Sequence, residues 1–242
     1  MAEMTIADSN VARDDAKLAQ ATFELLAGGA AEPLPRHRHQ LSRDEVLTSQ
    51  TARILAAAVE LFGDSGYAET TVAQIADRAG VSRRTVYDLY DSKEAIFLHT
   101  YRCTQLLISA AARTDQDQEG EPELTLATLP ASVNRLLAVI AAAPAAARMF
   151  FLEALGAGPR VRARRNEAIA EFVSGIAPLL QQLHASSETS LPPLSLGLCN
   201  AVVAGAIELI VQHLAHKGAE TVVELSSTII ELICAVVTPN YQ

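Results

Sequence analysis

The chain has no tryptophan, only five tyrosines and six phenylalanines, and three cysteines in 242 residues. Sheets draw on aromatic and β-branched residues, so this scarcity argues against a β architecture. Ala, Leu, Val and Ile supply most of a 50% hydrophobic fraction, and Ala and Leu are the best helix formers. The three cysteines, Cys103, Cys199 and Cys234, are odd in number, far apart and set in apolar surroundings. Neither a disulfide framework nor a metal site is expected of them, and they read as reduced core residues of a cytosolic protein. The opening MAEMTIADSN lacks the basic start and apolar core of a signal peptide. The longest apolar stretch, Leu196 to Ala215, is interrupted by Asn200, Glu208, Gln212 and His213. It is expected to be a buried or interface helix, not a membrane span. These absences predict a cytoplasmic protein with no membrane partner.

Basic charge is also short. Nineteen Lys and Arg face 28 Asp and Glu, for a net charge of −9. That balance excludes a chain that coats nucleic acid non-specifically, but not a DNA reader with its cations on one small face. No G-x-S-x-G and no phosphate-cradling glycine loop occurs. His213 and His216 lie three apart, but no Cys or acidic partner stands at ligand spacing to them or to His184. No enzyme, no metal and no cofactor is expected.

The sequence divides into three parts. Residues 1–41 form an extension in which Val11 to Ala27 has a weakly amphipathic pattern, ended by Gly28-Gly29, Pro33 and Pro35. Its few apolar residues predict partial mobility. Arg36-His37-Arg38-His39 at its end is either a basic arm for DNA or a linker without a role. From 42 to 102 the pattern becomes regular. Ser42-x-x-Glu45 is a capping box, and Ile54, Leu55, Ala58, Val59 and Phe62 mark one helical face ending at Gly63 to Gly66. The acidic stretch 114–123, with Asp115, Asp117, Glu119, Glu121 and Glu123, is a boundary loop, and residues 103–242 read as a second helical domain. Helices are predicted at 125–142, 144–156, 160–184, 193–215 and 219–237. The predicted fold is all-α, with a small three-helix N-terminal domain and a larger C-terminal helical bundle, to which the family resemblance given below adds ligand binding and dimerisation.

The segment TVAQIADRAGVSRRTVYDLYDSK, Thr71 to Lys93, has the form of two short helices joined by a tight turn. A helix-turn-helix at about 71–90 needs apolar residues where its helices touch and a small one at their crossing. Ile75, Ala79, Val81, Val86 and Leu89 fill the first role and Ala76 the second, with Gly80 at the turn where positive φ is wanted. Ser82 can cap the second helix and leave its amides towards a phosphate. Arg83 and Arg84 suit phosphates or a guanine edge, and Thr85 a phosphate or a thymine methyl. Thr70, Thr71, Tyr87, Tyr90 and Lys93 complete the predicted DNA-binding set, with Lys93 facing the duplex. The alternative for Tyr90 is a core ring.

The run LAAAVELFGDSGYAETTVAQIADRAGVSRRTVYDLYDSKEAIF resembles the N-terminal domain of the TetR family of transcriptional regulators. The resemblance rests on Phe62, Gly66-Tyr67, Thr70-Thr71, Ile75-Ala76, Ala79-Gly80-Val81-Ser82, Thr85-Val86-Tyr87 and Ser92-Lys93-Glu94. FFLEALGAGPRVRARRNEAIAEF is similar, more loosely, to a segment of the family's regulatory domain. The resemblance implies a dimeric repressor that sets two recognition helices on a palindromic double-stranded DNA operator and releases it when a small molecule binds. Leu89 stands where members often have His, and Tyr90 where they have Phe. Asp88 adds a negative charge beside them, so operator sequence does not carry over.

Leu198, Val202, Val203, Ala206, Ile207, Ile210 and Leu214, followed by Val222, Leu225, Ile229, Leu232, Ile233 and Val236, offer more apolar surface than one helix face needs. With Ala201, Ala204 and Gly205 they suit a homodimer interface through the last two helices, the alternative being burial within one chain. Leu136, Ile140, Met149, Phe150, Phe172, Ile176, Leu179 and Leu183 are candidate walls of a site for a small hydrophobic ligand, and equally ordinary core. Arg160, Arg162, Arg164 and Arg165 are expected to pair with Glu167 and Glu171 on a solvated face. The competing reading is a helical small-molecule-binding protein with lost DNA affinity. An enzyme on a helical bundle is a third.

Overall fold

The computed structural model describes residues 6–26, 43–112, 125–186 and 192–238. Every regular element among them is helical. The basic Arg36 to His39 segment, Ser42 and the acidic 114–123 run lie outside the described residues. The chain forms two compact units, residues 1–107 and 108–242, divided within the helix Lys93–Ala112.

The first unit holds α1 (Ile6–Leu26), α2 (Arg43–Ser65), α3 (Val72–Ala79), α4 (Arg83–Leu89) and most of α5 (Lys93–Ala112). The alanine run of α2 is buried from Ile54 to Val59. Both α1 and α3 pack on α2, and small side chains favour close helix approach. Large rings fill the rest. Phe62 sits 5.1 Å from Phe97 and 5.6 Å from Tyr67, and Tyr67 meets Phe97 edge-on at 5.2 Å, the geometry favoured by ring quadrupoles. The helix α1 starts earlier than the pattern from Val11 predicts, and it buries Leu18, Ala19 and Thr22.

The second unit comprises α6 (Leu129–Ala142), α7 (Pro144–Arg148), a π-helical turn (Met149–Glu153), α8 (Ala154–Gly156), α9 (Pro159–Ser186), α10 (Leu196–Lys217), a 3-10 turn (Val222–Leu225) and α11 (Ser226–Val237). One core runs through it, with Leu137, Leu180, Cys199 and Val237 almost wholly buried. The path turns by 102° between α6 and the segment that follows, where Pro144 lacks the N–H needed to continue a helix. The predicted 125–142 helix begins only at Leu129, because Thr125 and Thr128 first exchange hydroxyl and backbone bonds in a turn. The predicted 219–237 helix is likewise split, its start wound as a 3-10 turn. All three cysteines are free and buried. Burial raises the Cys103 thiol to about 12.

One expectation needs correction. Among the described residues α10 is long and apolar enough to cross a membrane by length and composition, with mean hydropathy 1.6 over its most apolar window. The polar interruptions counted against it are too few to exclude that. A bundle helix passes the same test, and α10 buries Cys199, Val202, Val203, Ile210, His213 and Leu214 within its unit.

Candidate nucleic-acid interface

Local chemistry fixes both ends of the turn. Thr71 caps α3: its hydroxyl accepts the Gln74 amide at 3.2 Å, and the Gln74 side chain returns a bond to the Thr71 amide at 2.7 Å. Two orphan donors are thereby satisfied reciprocally. Gly80 ends α3 at φ 64°, in the left-handed region, with Val81 N–H bonding back to the Ala76 carbonyl at 3.0 Å. A Cβ at Gly80 would lie 2.5 Å from Arg53 Nη2, whose guanidinium donates to the Gly80 carbonyl at 3.2 Å. Glycine is needed here for backbone conformation and for close approach alike.

Ser82 then caps α4. Its Oγ accepts the Thr85 amide at 3.0 Å and shares a hydrogen bond with the Thr85 hydroxyl at 2.8 Å. Ile75, Ala76, Ala79 and Val86 bury the facing sides of the two helices. With Val86 fixed inward, α4 turns Arg83, Arg84 and Tyr87 outward. Tyr87 is 57% exposed, among the few large aromatic or aliphatic side chains left in solvent. The Arg84 guanidinium stands 3.9 Å from Asp88, both well exposed, a surface pair of little strength. Thr71, Ser82, Arg83, Arg84 and Tyr87 therefore share an accessible region, with Thr85 half-buried beside them.

Three of the predicted contacts are placed otherwise. Thr70 is 1% exposed, and its hydroxyl donates to the carbonyls of Gly66 (2.8 Å) and Leu61 (3.2 Å), closing the loop after α2. Tyr90 is buried, with its hydroxyl 2.8 Å from His99 Nδ1. Burial raises its pKa, helped by nearby Cys103. Lys93 folds back onto the loop after α2. Its ammonium donates to the carbonyls of Tyr67 (2.6 Å), Thr70 (2.8 Å) and Ala68 (3.3 Å) and lies 4.4 Å from the Tyr67 ring centroid. A loop with three converging carbonyls needs a cation, and Lys93 is the one that reaches it. Sequence reasoning also missed Arg53, and Arg78, which pairs with Glu60 at 2.7 Å. Both tie the turn to α2 across separations of 27 and 18 residues, which no local motif announces.

In the second unit Leu136, Ile140, Phe150, Ile176, Leu179 and Leu183 share one apolar cluster, whereas Met149 is buried and Phe172 half-buried outside it. The π-helical turn carries Met149 and Phe150, and its extra residue per turn is a feature often found at functional sites. Ser132 Oγ, on α6 one turn before Leu136, is buried with no hydrogen-bond partner. Seven of the predicted interface residues, Val202, Val203, Ile210, Leu214, Val222, Ile229 and Ile233, are buried within their own unit. What the last helices leave exposed is a smaller set: Leu196, Leu198 and Val223, with Ala201 and Ala204. His213 Nε2 meets the Thr221 hydroxyl at 2.9 Å, and His184 lies between the Val237 and Pro192 carbonyls. No group of three potential metal ligands occurs among the described residues. Arg164 bridges to Glu167 and, two turns on, Glu171.

The first unit is thus a helix-turn-helix module, joined through α5 to a helical second unit. Residues 54–100, from the buried half of α2 into α5, match the family described as bacterial regulatory proteins, tetR family. The transcriptional regulator RutR of Escherichia coli is 30% identical over 117 residues, 48% of this chain and 53% of that protein. The transcriptional activator FasR of Mycolicibacterium smegmatis is 40% identical over 63 residues, 26% of this chain and 27% of that protein. The chain thus spans from about a quarter to half the length of these curated relatives. FadR of Bacillus subtilis, solved in complex with stearoyl-CoA, has the same fold at TM-score 0.63 and 22% identity, over 78% of this chain and 98% of that one.

Proposed function

We propose that this protein is a cytoplasmic, DNA-binding transcription regulator, acting as a dimeric repressor on a palindromic operator and released by a small hydrophobic ligand. The observation that carries the reading is the outward face of α4. Val86 is fully buried behind it, while Arg83, Arg84 and Tyr87 project together from a helix capped at Ser82. Two cations and an exposed ring on a rigid short helix suit phosphates and base edges in a major groove. In an otherwise acidic chain they concentrate the favourable field where it is needed. Transcription from a reporter should fall when the protein is present; a rise would make the protein an activator, as the relative FasR is named.

Exposed Leu196 and Leu198, with the small Ala201 and Ala204, support pairing of α10 with a second copy, which would cover apolar surface that water meets poorly. The apolar cluster that includes Leu136, Phe150, Ile176 and Leu179 supports a ligand that is mostly hydrocarbon, and the buried Ser132 Oγ, on the same helix as Leu136, has no partner of its own. An acyl-CoA is a suitable first probe, given what the FadR structure holds.

The test is selection of duplexes from a random pool by the full chain, followed by the double variant Arg83→Ala with Tyr87→Ala. Each lost base or phosphate contact costs about 1–3 kcal/mol, so the pair should weaken binding at least about thirtyfold. The fold, read by circular dichroism, should not change. Retention of affinity by the double variant would refute α4 as the reading helix.

A further inference from the structure

The helix α1 precedes the helix-turn-helix in sequence yet is linked to its end. Leu18, Ala19 and Thr22 are buried, and α1 packs on α2. One turn before Ala19, Asp15 reaches α5. Its Oδ2 accepts from Arg102 Nε at 3.3 Å, and its Oδ1 stands 4.0 Å from His99 Nε2. The other ring nitrogen of His99 meets the Tyr90 hydroxyl at 2.8 Å. Tyr90 is the residue at which α4 stops, its N–H bonded to the Val86 carbonyl at 2.8 Å. A continuous path of side chains therefore runs from α1 through α5 to the end of α4.

We propose that α1 is a positioning element for the recognition helix, acting through Asp15, His99 and Tyr90. The inference rests on the reading of α4 as the helix that meets DNA. A carboxylate opposite Nε2 favours the tautomer with its proton there. Nδ1 is then the acceptor for the buried Tyr90 hydroxyl, which would otherwise lack a partner at a cost. Burial, with Arg102, lowers the His99 pKa against the pull of Asp15, so the ring is held neutral and keeps that acceptor. Arg102 holds the carboxylate in place from the same α5 face. Asp15 and His99 make no bond to the exposed Arg83, Arg84 or Tyr87; their effect passes through Tyr90, which is buried at the end of α4.

The test uses the full chain with Asp15→Asn, Tyr90→Phe, the double variant, and Lys17→Ala as a control on the exposed face of α1. Three quantities are read: nitrogen-15 shifts of the His99 ring across pH, hydrogen exchange of the Tyr90 amide, and affinity for a duplex the unaltered chain selects from a random pool. In the unaltered chain His99 should carry its proton on Nε2 at neutral pH. Asp15→Asn should lower its titration midpoint and shift the tautomer. The same change should speed Tyr90 exchange by about fivefold and weaken duplex binding by about three- to tenfold, the range of a part-exposed ion-pair contact and its hydrogen bond. The double variant should be no worse than the weaker single one, because both cut one path. Wild-type His99 and Tyr90 behaviour in Asp15→Asn, additive single effects, or an unchanged affinity would each overturn the proposal. If the unaltered chain selects no duplex, the DNA reading fails, while the ring and amide measurements still decide whether α1 positions the end of α4.

Discussion

The α3–α4 turn and the α10–α11 pair both present side chains to solvent, but they are finished in different ways. At the turn, both helix starts are capped by a hydroxyl, the crossing is closed by buried Ile75, Ala76, Ala79 and Val86, and what projects is cationic or amphipathic. At the last helices only Ser195 supplies a side-chain cap, and what projects is apolar: Leu196 at 58% and Leu198 at 49% exposure. A surface of cations on a locked scaffold matches a hydrated polyanion, whose contacts are polar and geometry-dependent. A surface of leucines and alanines matches another apolar surface, where area matters more than direction. One chain thus offers two kinds of face.

The contrast is most strongly tested by truncating one apolar side chain on each side of it. Ile75 is fully buried where α3 meets α4, so Ile75→Ala should cost about 2–5 kcal/mol in unfolding free energy. Leu198→Ala, at an exposed position, should change monomer stability by no more than about 0.5 kcal/mol. It should instead shift the monomer–dimer equilibrium in sedimentation. Equal thermal losses for the two variants, with no change in association, would show that α10 is finished as core and not as an interface.

The next effect concerns Lys93. Replacing it with Met keeps the stem and removes the ammonium, leaving the carbonyls of Tyr67, Ala68 and Thr70 without their shared donor. A hydrogen bond to a charged group is worth about 1.5–3 kcal/mol net, and water can reach part of this site, so a loss of about 2 kcal/mol is expected by denaturant titration. If stability held but duplex affinity collapsed, Lys93 would belong with Arg83 after all.

These cases show what the sequence made legible. The scaffold of the turn was readable because every requirement is local: a cap at Thr71 answered three residues on by Gln74, a glycine where φ is positive, a cap at Ser82. Arg53, Lys93 and Asp15 were not, since each acts across more than twenty residues. In the second unit the helical class was clear, but which leucines face inward was not. A strongly apolar helix such as α10 has little polar face to orient it, so Leu198 and Val202, one turn apart on the same stripe, look alike in sequence although the first is exposed and the second buried.

A pH scan separates the units further. His99 is depressed below its ordinary 6.5 by burial first, and then by Arg102. Below pH 6.5 the unfolded chain takes up a proton that the folded chain refuses, so stability should fall as pH drops from 6.5 towards the folded-state value. Cys103, raised from 9.0 to about 12 by burial, acts at the other end. Above pH 9 the unfolded thiol ionises first and stability should fall again. The first unit should therefore be most stable between about pH 6.5 and 9. His99→Gln should flatten the acid limb alone, as read by hydrogen exchange in α5. An acid limb that survives this change would assign it to another group.

The smallest expected effect is also the one that speaks most directly to the reading face. Asp88 is 68% exposed in its side chain and pairs with Arg84 only at 3.9 Å. Asp88→Ala should leave stability within about 0.5 kcal/mol of the unaltered chain. It removes a negative charge from the helix that carries Arg83 and Arg84, however, so affinity for the selected duplex should rise, and rise more at low salt than at high. A fall in affinity confined to duplexes with a particular cytosine would mean that Asp88 accepts from a base edge. The acidic residue would then be part of the recognition code, and the face of α4 would be sorted by sequence as well as by charge.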